Sequence, residues 1–564
     1  MQANHYDVII PGGGLAGLTL SIQLKRAMPN IKILVLERRK SEATIAAHKV
    51  GESTVELGSH YLRNVLGLKD YLEAHELPKH GLRFFFRSRN KADITTRLEL
   101  GPRQWLPTPS HQLDRGTLEN YLLQHTRSLG TEVILDAVAK DVAFGQEHHA
   151  FTYVQAKEEK TVTGRWVADT TGRGSFLKRK LGFEKPMEHH VNAVWWRLKG
   201  VIDIDKWSDN KDWQNYLVSG LRYLSTVHFL DKGYWVWVIP LGSKNTSIGI
   251  VADPAIHRFE DFNTYENAME WLKKNEPLCY NMLEPETPNK LDFKILKHFA
   301  HDSGRAYDGG ERWGVSGEAG AFLDPFYSPG TDFISLSNTF LSDLILRDLK
   351  GEDVQFRAEI YERTYLTLVN RWIPIYQNKY NLMGNPQIMV NKILWDWGLY
   401  WAVPCVLFTN NAFTDLRMLK QLFAAPDSLG QKFGKLHERM QQLFLDWLPY
   451  QNELFENRYI DPFDLNVMQQ FQRNIDTAYG DKLLEQIAVN ISLLEKIAAE
   501  VFRKVSAQVK GTPHDMPVNP YTMSLNGDYV PEPGTVDESY NVPPDEAIRK
   551  DVETMWFYPA KQTA

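Results

Sequence analysis

Apolar and polar positions along the chain change period several times, and each change marks an element. Asp7-Val8-Ile9-Ile10 is a short apolar run that predicts a buried strand. Glycines at 12, 13, 14 and 17 interrupt it; Leu18 to Arg26 then predicts a helix, and Ile31 to Leu36 a second strand ending on Glu37. Trp235-Val236-Trp237-Val238-Ile239-Pro240 alternates with period two, which predicts a strand with both tryptophans on one face. Asp332 to Leu349 predicts a helix, and so does Arg357 to Tyr380. Aromatics then recur near spacings of three and four through Trp395, Trp397, Tyr400 and Trp401. Such a stripe predicts a buried core helix; a pocket wall, or a groove for an acyl chain or carrier protein, is the other reading. Gln431 to Leu448 and Lys482 to Val509 predict amphipathic helices that close over that pocket. From Gly511 to Pro544 prolines, glycines and asparagines dominate, which predicts an extended strap.

Size and composition narrow the class. A chain of 564 residues can bury more than one domain, and a net charge of -6 gives no support to nucleic-acid binding. Cys279 and Cys405 stand far apart, so neither a disulfide framework nor a metal-ligand cluster is expected, and a reducing cytoplasm is. The apolar stretch Val8 to Leu20 is broken by Pro11 and the glycines and lacks preceding basic residues, unlike a signal peptide. Leu399 to Phe408 is too short to span a bilayer, so no transmembrane segment is expected. The pairs His148-His149 and His189-His190 lack further ligands at metal-site spacing and are expected in solvent-facing loops.

The first chemistry lies in the glycines. Gly12-x-Gly14-x-x-Gly17 between a strand and a helix is the dinucleotide turn. Gly12 permits the tight bend, Gly14 lets backbone approach a pyrophosphate, and Gly17 lets the helix lie close to the sheet. The helix N-terminus offers unpaired N–H groups to phosphate. Glu37, twenty residues beyond Gly17, can accept from a ribose hydroxyl.

Three later segments resemble FAD-binding motifs of flavoprotein monooxygenases: Gln112-Leu113-Asp114-Arg115, Asp169-Thr170-Thr171-Gly172-Arg173, and Gly317-Glu318-Ala319-Gly320 with Pro325 and Gly330. The last has Glu318 where aspartate is usual. A complete W-x-W-x-I-P over Trp235 to Pro240, a complete F-x-x-P-x-x-S-x-G over Phe322 to Gly330, and Gly51-Glu52-Ser53 together resemble the flavin-dependent halogenases over roughly the first 350 residues. The resemblance implies an α/β fold: a Rossmann-type FAD-binding domain with an inserted mixed β-sheet substrate region, then a mainly helical C-terminal region. Expected boundaries are 1–350 for the catalytic domain, 351–510 for the helical region and 511–564 for the tail.

It also implies chemistry. FAD, held by Gly12, Gly14, Ala16, Gly17, Glu37, Glu52, Ser53, Arg115, Asp169, Glu318, Pro325 and Gly330, arrives reduced from a separate flavin reductase. With oxygen and halide it yields hypohalous acid, which crosses an internal tunnel walled by Trp235, Trp237, Ile239 and Pro240. A lysine receives it near an aromatic or carrier-protein-bound substrate. Lys79, just before Gly81-Leu82-Arg83-Phe84-Phe85-Phe86, matches that lysine's place; Lys49 is a weaker rival. Ser328, Gly330 and Thr331 form the implied halide nest, but Pro329 removes one N–H donor from it. Tyr327 stands where tryptophan halogenases carry glutamate, so phenols, pyrroles or carrier-bound acyl groups are favoured over free tryptophan. A flavin monooxygenase or dehydrogenase that lost halide use is the alternative, and a flavin-binding subunit without chemistry is a third reading.

Overall fold

The computed structural model describes residues 5–43, 51–218, 220–451, 454–513, 515–529 and 540–557, so Lys49 lies outside the described residues. The N-terminal pattern folds as its periodicity dictates. Strand His5–Pro11 leads into helix Leu15–Ala27, and strand Ile33–Glu37 returns beside the first. Both strands and most of the helix are buried, because the sheet is covered on both faces and the run of Val8, Ile9 and Ile10 serves both. The parallel order is Trp313–Val315, Glu158–Asp169, His5–Pro11, Ile33–Glu37 and Glu132–Leu135. An antiparallel hairpin, Ala137–Ala143 with His149–Gln155, extends from Glu158–Asp169. Helix Leu15–Ala27 packs against Arg115–Ser128 and Gly330–Asp348.

A second, mixed sheet runs Lys294–Leu296, Asn192–Lys199, Asn245–Ala252, Tyr234–Pro240, Thr226–Asp231, Leu82–Phe85, Glu99–Leu100 and Tyr459–Ile460. Alternation sorts its two faces. Trp195, Trp235, Trp237 and Ile239 join the main core, while Trp196, Val236, Val238 and Ile248 join a separate cluster behind the sheet. Gly249 pairs across from Trp237, and a Cβ there would stand 2.2 Å from the indole. The last strand, Tyr459–Ile460, comes from the helical region and pairs in parallel with Glu99–Leu100.

Helices Gln355–Tyr376, Pro386–Tyr400, Leu429–Trp447 and Leu483–Lys510 build the C-terminal region. Helix Pro386–Tyr400 runs into a π-helical turn, Trp401–Cys405, around Pro404. Two expectations need correction. The tail is not extended throughout: Glu546–Thr554 is a helix, with Ile548 and Val552 buried and Asp551 accepting from the backbone N–H groups of Asn466 and Val467. The histidine pairs do not both face solvent. His149 is buried at the start of a strand, and His189 is buried with Nε2 2.8 Å from Asp324. The edge-on ring of Phe144 and the Gly145 N–H take in the first, and a carboxylate takes in the second.

Candidate active site

The glycine turn opens on a cavity of about 1290 Å³. Gly12 has φ +109°, and a Cβ on it would stand 2.2 Å from the Thr170 carbonyl oxygen. A Cβ on Gly17 would stand 2.0 Å from the Gly12 carbonyl oxygen, so helix and turn are in direct backbone contact. Gly14 precedes helix Leu15–Ala27 as its N-cap, leaving the first-turn N–H groups directed at the cavity. The Glu37 carboxylate accepts from Gly13 N–H at 2.7 Å and from Arg39 N–H at 2.9 Å. Those bonds fix the acid at the cavity wall.

Of the residues expected to hold FAD, Gly12, Gly14, Ala16, Glu37, Glu52, Ser53, Arg115, Glu318, Pro325 and Gly330 line this cavity. Gly17 lies behind it and acts through packing. Asp169 is wholly buried and is not part of the lining. Its oxygens accept from Thr171 N–H at 2.9 Å and Leu177 N–H at 2.7 Å, so it holds the second turn in shape. Glu52 is buried, its carboxyl pushed up to about 7 by loss of solvent against the pull of Arg197. A Cβ on Gly330 would meet nothing within 4 Å, which leaves open room beside this turn. A long cavity with a glycine turn and helix N-terminus at one end, and a fixed carboxylate for a ribose, fits FAD.

Trp235, Trp237 and Ile239 line the same cavity, and Pro240 does not. Trp235 Nε1 donates to Tyr380 Oη at 2.9 Å, and Tyr380 donates to Asp324 at 2.6 Å. His189 and Tyr380 therefore converge on Asp324, a cavity residue. Tyr380 belongs to the helical region, where the sequence marks it only as the last of a run of aromatics after Tyr361, Tyr365, Trp372 and Tyr376.

A second, smaller cavity of about 50 Å³ lies beyond the turn Ser328-Pro329-Gly330. Pro329 lines both cavities. Lys79 is in this second chamber, 2% exposed, with Nζ donating to the Thr54 carbonyl at 2.7 Å. Strand Leu77–Lys79 delivers it there by pairing with Ser110–Gln112. Burial pulls its pKa down to about 7, against the attraction of Glu56 and Asp332. Both carboxyls share the chamber with it. Burial raises both, Asp332 to about 7. Asp332, in the first turn of helix Gly330–Asp348, accepts from Gly58 N–H at 2.8 Å and Tyr400 Oη–H at 2.7 Å. Trp372, Trp397, Tyr400 and Trp401 close the chamber, so the aromatic stripe supplies walls as well as core. Tyr327 donates to Asp396 at 2.9 Å, and Asp396 also holds Lys392 at 2.5 Å. Sequence reading gave no role to Glu56, Asp332 and Asp396, and saw Tyr400 only as one of an aromatic stripe. An acid at the first turn of a helix looks like routine dipole complementation, and only the fold shows which chamber it faces.

Ser328, Gly330 and Thr331 line the large cavity at the start of helix Gly330–Asp348, with Pro329 as its N-cap. Among the described residues, no helix is long and apolar enough to cross a membrane.

Comparison with known proteins agrees with this geometry. Residues 5–252 match the family model of an FAD binding domain. A flavin-dependent halogenase of Dictyostelium discoideum is 28% identical over 497 residues, covering 79% of this chain and 81% of that protein. A 1H-pyrrole-2-carbonyl-[peptidyl-carrier protein] chlorinase of Pseudomonas fluorescens is 27% identical over 377 residues, 63% of this chain and 78% of its own. The crystal structure of halogenase PltM shares the fold, with a TM-score of 0.60 at 16% identity, covering 91% of this chain and 98% of that one. The chain is an FAD-dependent enzyme, similar to the flavin-dependent halogenases over most of its length, on an α/β fold with a helical C-terminal region.

Proposed function

We propose that this enzyme halogenates a single-ring phenol or pyrrole, free or bound to a carrier protein, and that Lys79 receives the halogenating species. The observation that carries this reading is the pair of cavities sharing Pro329, one fit for FAD and the other holding a buried lysine. Bound reduced FAD and oxygen supply the oxidising power that converts halide to hypohalous acid. The chain's part is separation and placement. Trp235, Trp237 and Ile239 exclude water on the cofactor side, the N–H groups of Gly330 and Thr331 offer a place to halide, and Lys79 donates a hydrogen bond in the chamber.

The chamber's walls of Trp372, Trp397 and Trp401 favour a flat aromatic substrate. The carrier-bound pyrrole named for the Pseudomonas fluorescens relative supports the same class. A separate flavin reductase supplies the cofactor, because the sequence contains one dinucleotide turn and no second one suited to NADPH. The working compartment is the cytoplasm, where the buried thiols of Cys279 and Cys405 stay reduced.

The test incubates the protein with FAD, a flavin reductase, NADH, oxygen and chloride or bromide. Resorcinol and carrier-bound pyrrole-2-carboxylate are offered, and products are weighed by mass spectrometry. Halogenated product that requires the reductase is expected. Hydroxylated product without halogen would assign the chain to the monooxygenase alternative.

A further inference from the structure

Lys79 is not the only buried ionisable group in the chamber. Glu56 is 4% exposed, at the first residue of helix Glu56–His60, and lines the same wall. Its Oε1 is saturated: Trp401 Nε1 donates at 3.0 Å and Gln472 Nε2 at 2.8 Å. Among the described residues no other side chain donates to this carboxylate, which also accepts from its own backbone N–H. Asp332 differs, because both its oxygens are occupied by Gly58 and Tyr400. A buried carboxyl on the chamber wall, with both of its side-chain donors on one oxygen, is placed to act as a proton acceptor. The donors come from the π-helical turn and from helix Asn466–Asn474, so the C-terminal region orients this group.

We propose that Glu56 is the general base that removes the proton from the substrate carbon as halogen is installed, with Lys79 as its acid partner. The inference rests on the halogenase reading, which supplies hypohalous acid as the oxidant. Halogen bonds to the ring carbon while its bond to oxygen breaks, and that electron pair leaves on oxygen. A proton from Lys79 Nζ releases the oxygen as water. The ring C–H bond then breaks, its electrons restore the aromatic ring, and Oε2 of Glu56 takes the proton. Carbon is oxidised by two electrons and the halogen is reduced by the same two. The water released in the reaction relays the proton from Glu56 back to Lys79, which resets both groups. Asp332, Tyr400 and Cys405 are the other ionisable groups that interact with Glu56 from the packed helices; burial raises all three, so Tyr400 and Cys405 stay neutral and Asp332, at about 7, shares protons with the pair.

Glu56→Gln keeps an acceptor for Trp401 and Gln472, and Glu56→Asp keeps the carboxylate with a shorter reach. FAD-dependent formation of hypochlorous acid, followed by bleaching of monochlorodimedone, is expected to be unchanged in Glu56→Gln. Chlorinated resorcinol is expected to fall about a hundredfold, with partial rescue in Glu56→Asp. Competition between resorcinol and its ring-deuterated form should show an isotope effect near unity in the parent and clearly above it in Glu56→Gln, a signature that a purely structural residue would not give. A second readout needs no turnover. In protein labelled at lysine Cε, the Lys79 resonance, assigned by its loss in Lys79→Met, should titrate at lower pH in Glu56→Gln, because the carboxylate that favours the ammonium is gone. An unchanged titration, or an isotope effect near unity with normal product yield, would overturn the assignment. Absence of chlorination by the parent protein, with the Lys79 titration shifted as expected, would fault the halogenase reading instead.

Discussion

Replacing Lys79 by methionine keeps the length of the side chain and removes its charge and donors. Lys79 lines the small chamber and not the cofactor cavity, so FAD affinity should stay within about twofold of the parent. Product should fall about 10²- to 10⁴-fold, the span for loss of a positioned acid. At 2% exposure, bulk solvent cannot take over the donor role. The loss also has an electrostatic signature. Lys79 lowers the pKa of both Glu56 and Asp332, so without it these two buried acids rise further and take up protons. For an acid whose folded pKa exceeds its unfolded one, the folded state binds more protons between the two values, so stability falls as pH rises through that window. Asp332 already stands at about 7 with Lys79 present. Relative to the parent, the melting temperature of Lys79→Met should therefore fall as pH rises above about 7, because its acids keep protons in the folded state to higher pH while the parent sheds the buried ammonium charge of Lys79 over the same range. In the parent the sign for turnover is separate. The ammonium is the acid form, so with a pKa of about 7 product formation should decline on the alkaline side of neutrality while flavin reoxidation continues. Stopped-flow absorbance follows the flavin, mass spectrometry counts product, and calorimetry gives the melting curves. Normal chlorination by Lys79→Met, or loss of flavin reoxidation together with product, would refute the argument that the two half-reactions occur in separate cavities.

Two further outcomes follow from backbone geometry. In Gly17→Ala the new methyl lies 2.0 Å from the Gly12 carbonyl oxygen, so helix and turn must part by more than an ångström. A strain of about 1–3 kcal/mol that falls on the bound state should weaken FAD binding about 5- to 150-fold, read by fluorescence titration; unaltered affinity would mean the turn does not hold the cofactor. Pro329→Ala restores an N–H beside those of Gly330 and Thr331, so KM for chloride should drop severalfold at an unchanged KM for the organic substrate, and an unchanged chloride KM would place halide elsewhere.

How much of this was legible in the chain depends on the range of the interaction. The N-terminal strand, turn, helix and strand rest on neighbours within forty residues, and periodicity with glycine spacing located them to within a few positions. The tryptophan strand was equally plain, because alternation alone assigns its faces. Asp169 was recognised as part of a turn, but its side chain bonds to Leu177 within that turn and is not in the cavity lining. Pairings of long sequence separation carried no local mark. Glu56 meets Gln472 across 416 residues, and Leu57 meets Tyr400 across 343. The final helix, Glu546–Thr554, was hidden by the prolines before it, although Asp545 caps it in the ordinary way by accepting from Ala547 and Ile548.

Pro329 gains a second meaning from these distances. As sequence it is a missing donor in an anion nest. In the fold it is the wall common to the cofactor cavity and the lysine chamber. Ser328 before it has φ +58° and ψ 41°, a left-handed conformation that a residue preceding proline adopts at a cost of about 1–3 kcal/mol. Such a turn persists only where its surroundings over-determine it, and here they do. Asp324 caps the turn by accepting from Phe326 N–H, Phe326 stacks edge-on to Trp235, and Tyr327 is tied to Asp396. The proline limits the ways in which this segment can relax. A chain that hands a small oxidant from one cavity to the next gains from a partition that neither swings nor opens to water, and for that a rigid turn serves better than one more N–H group.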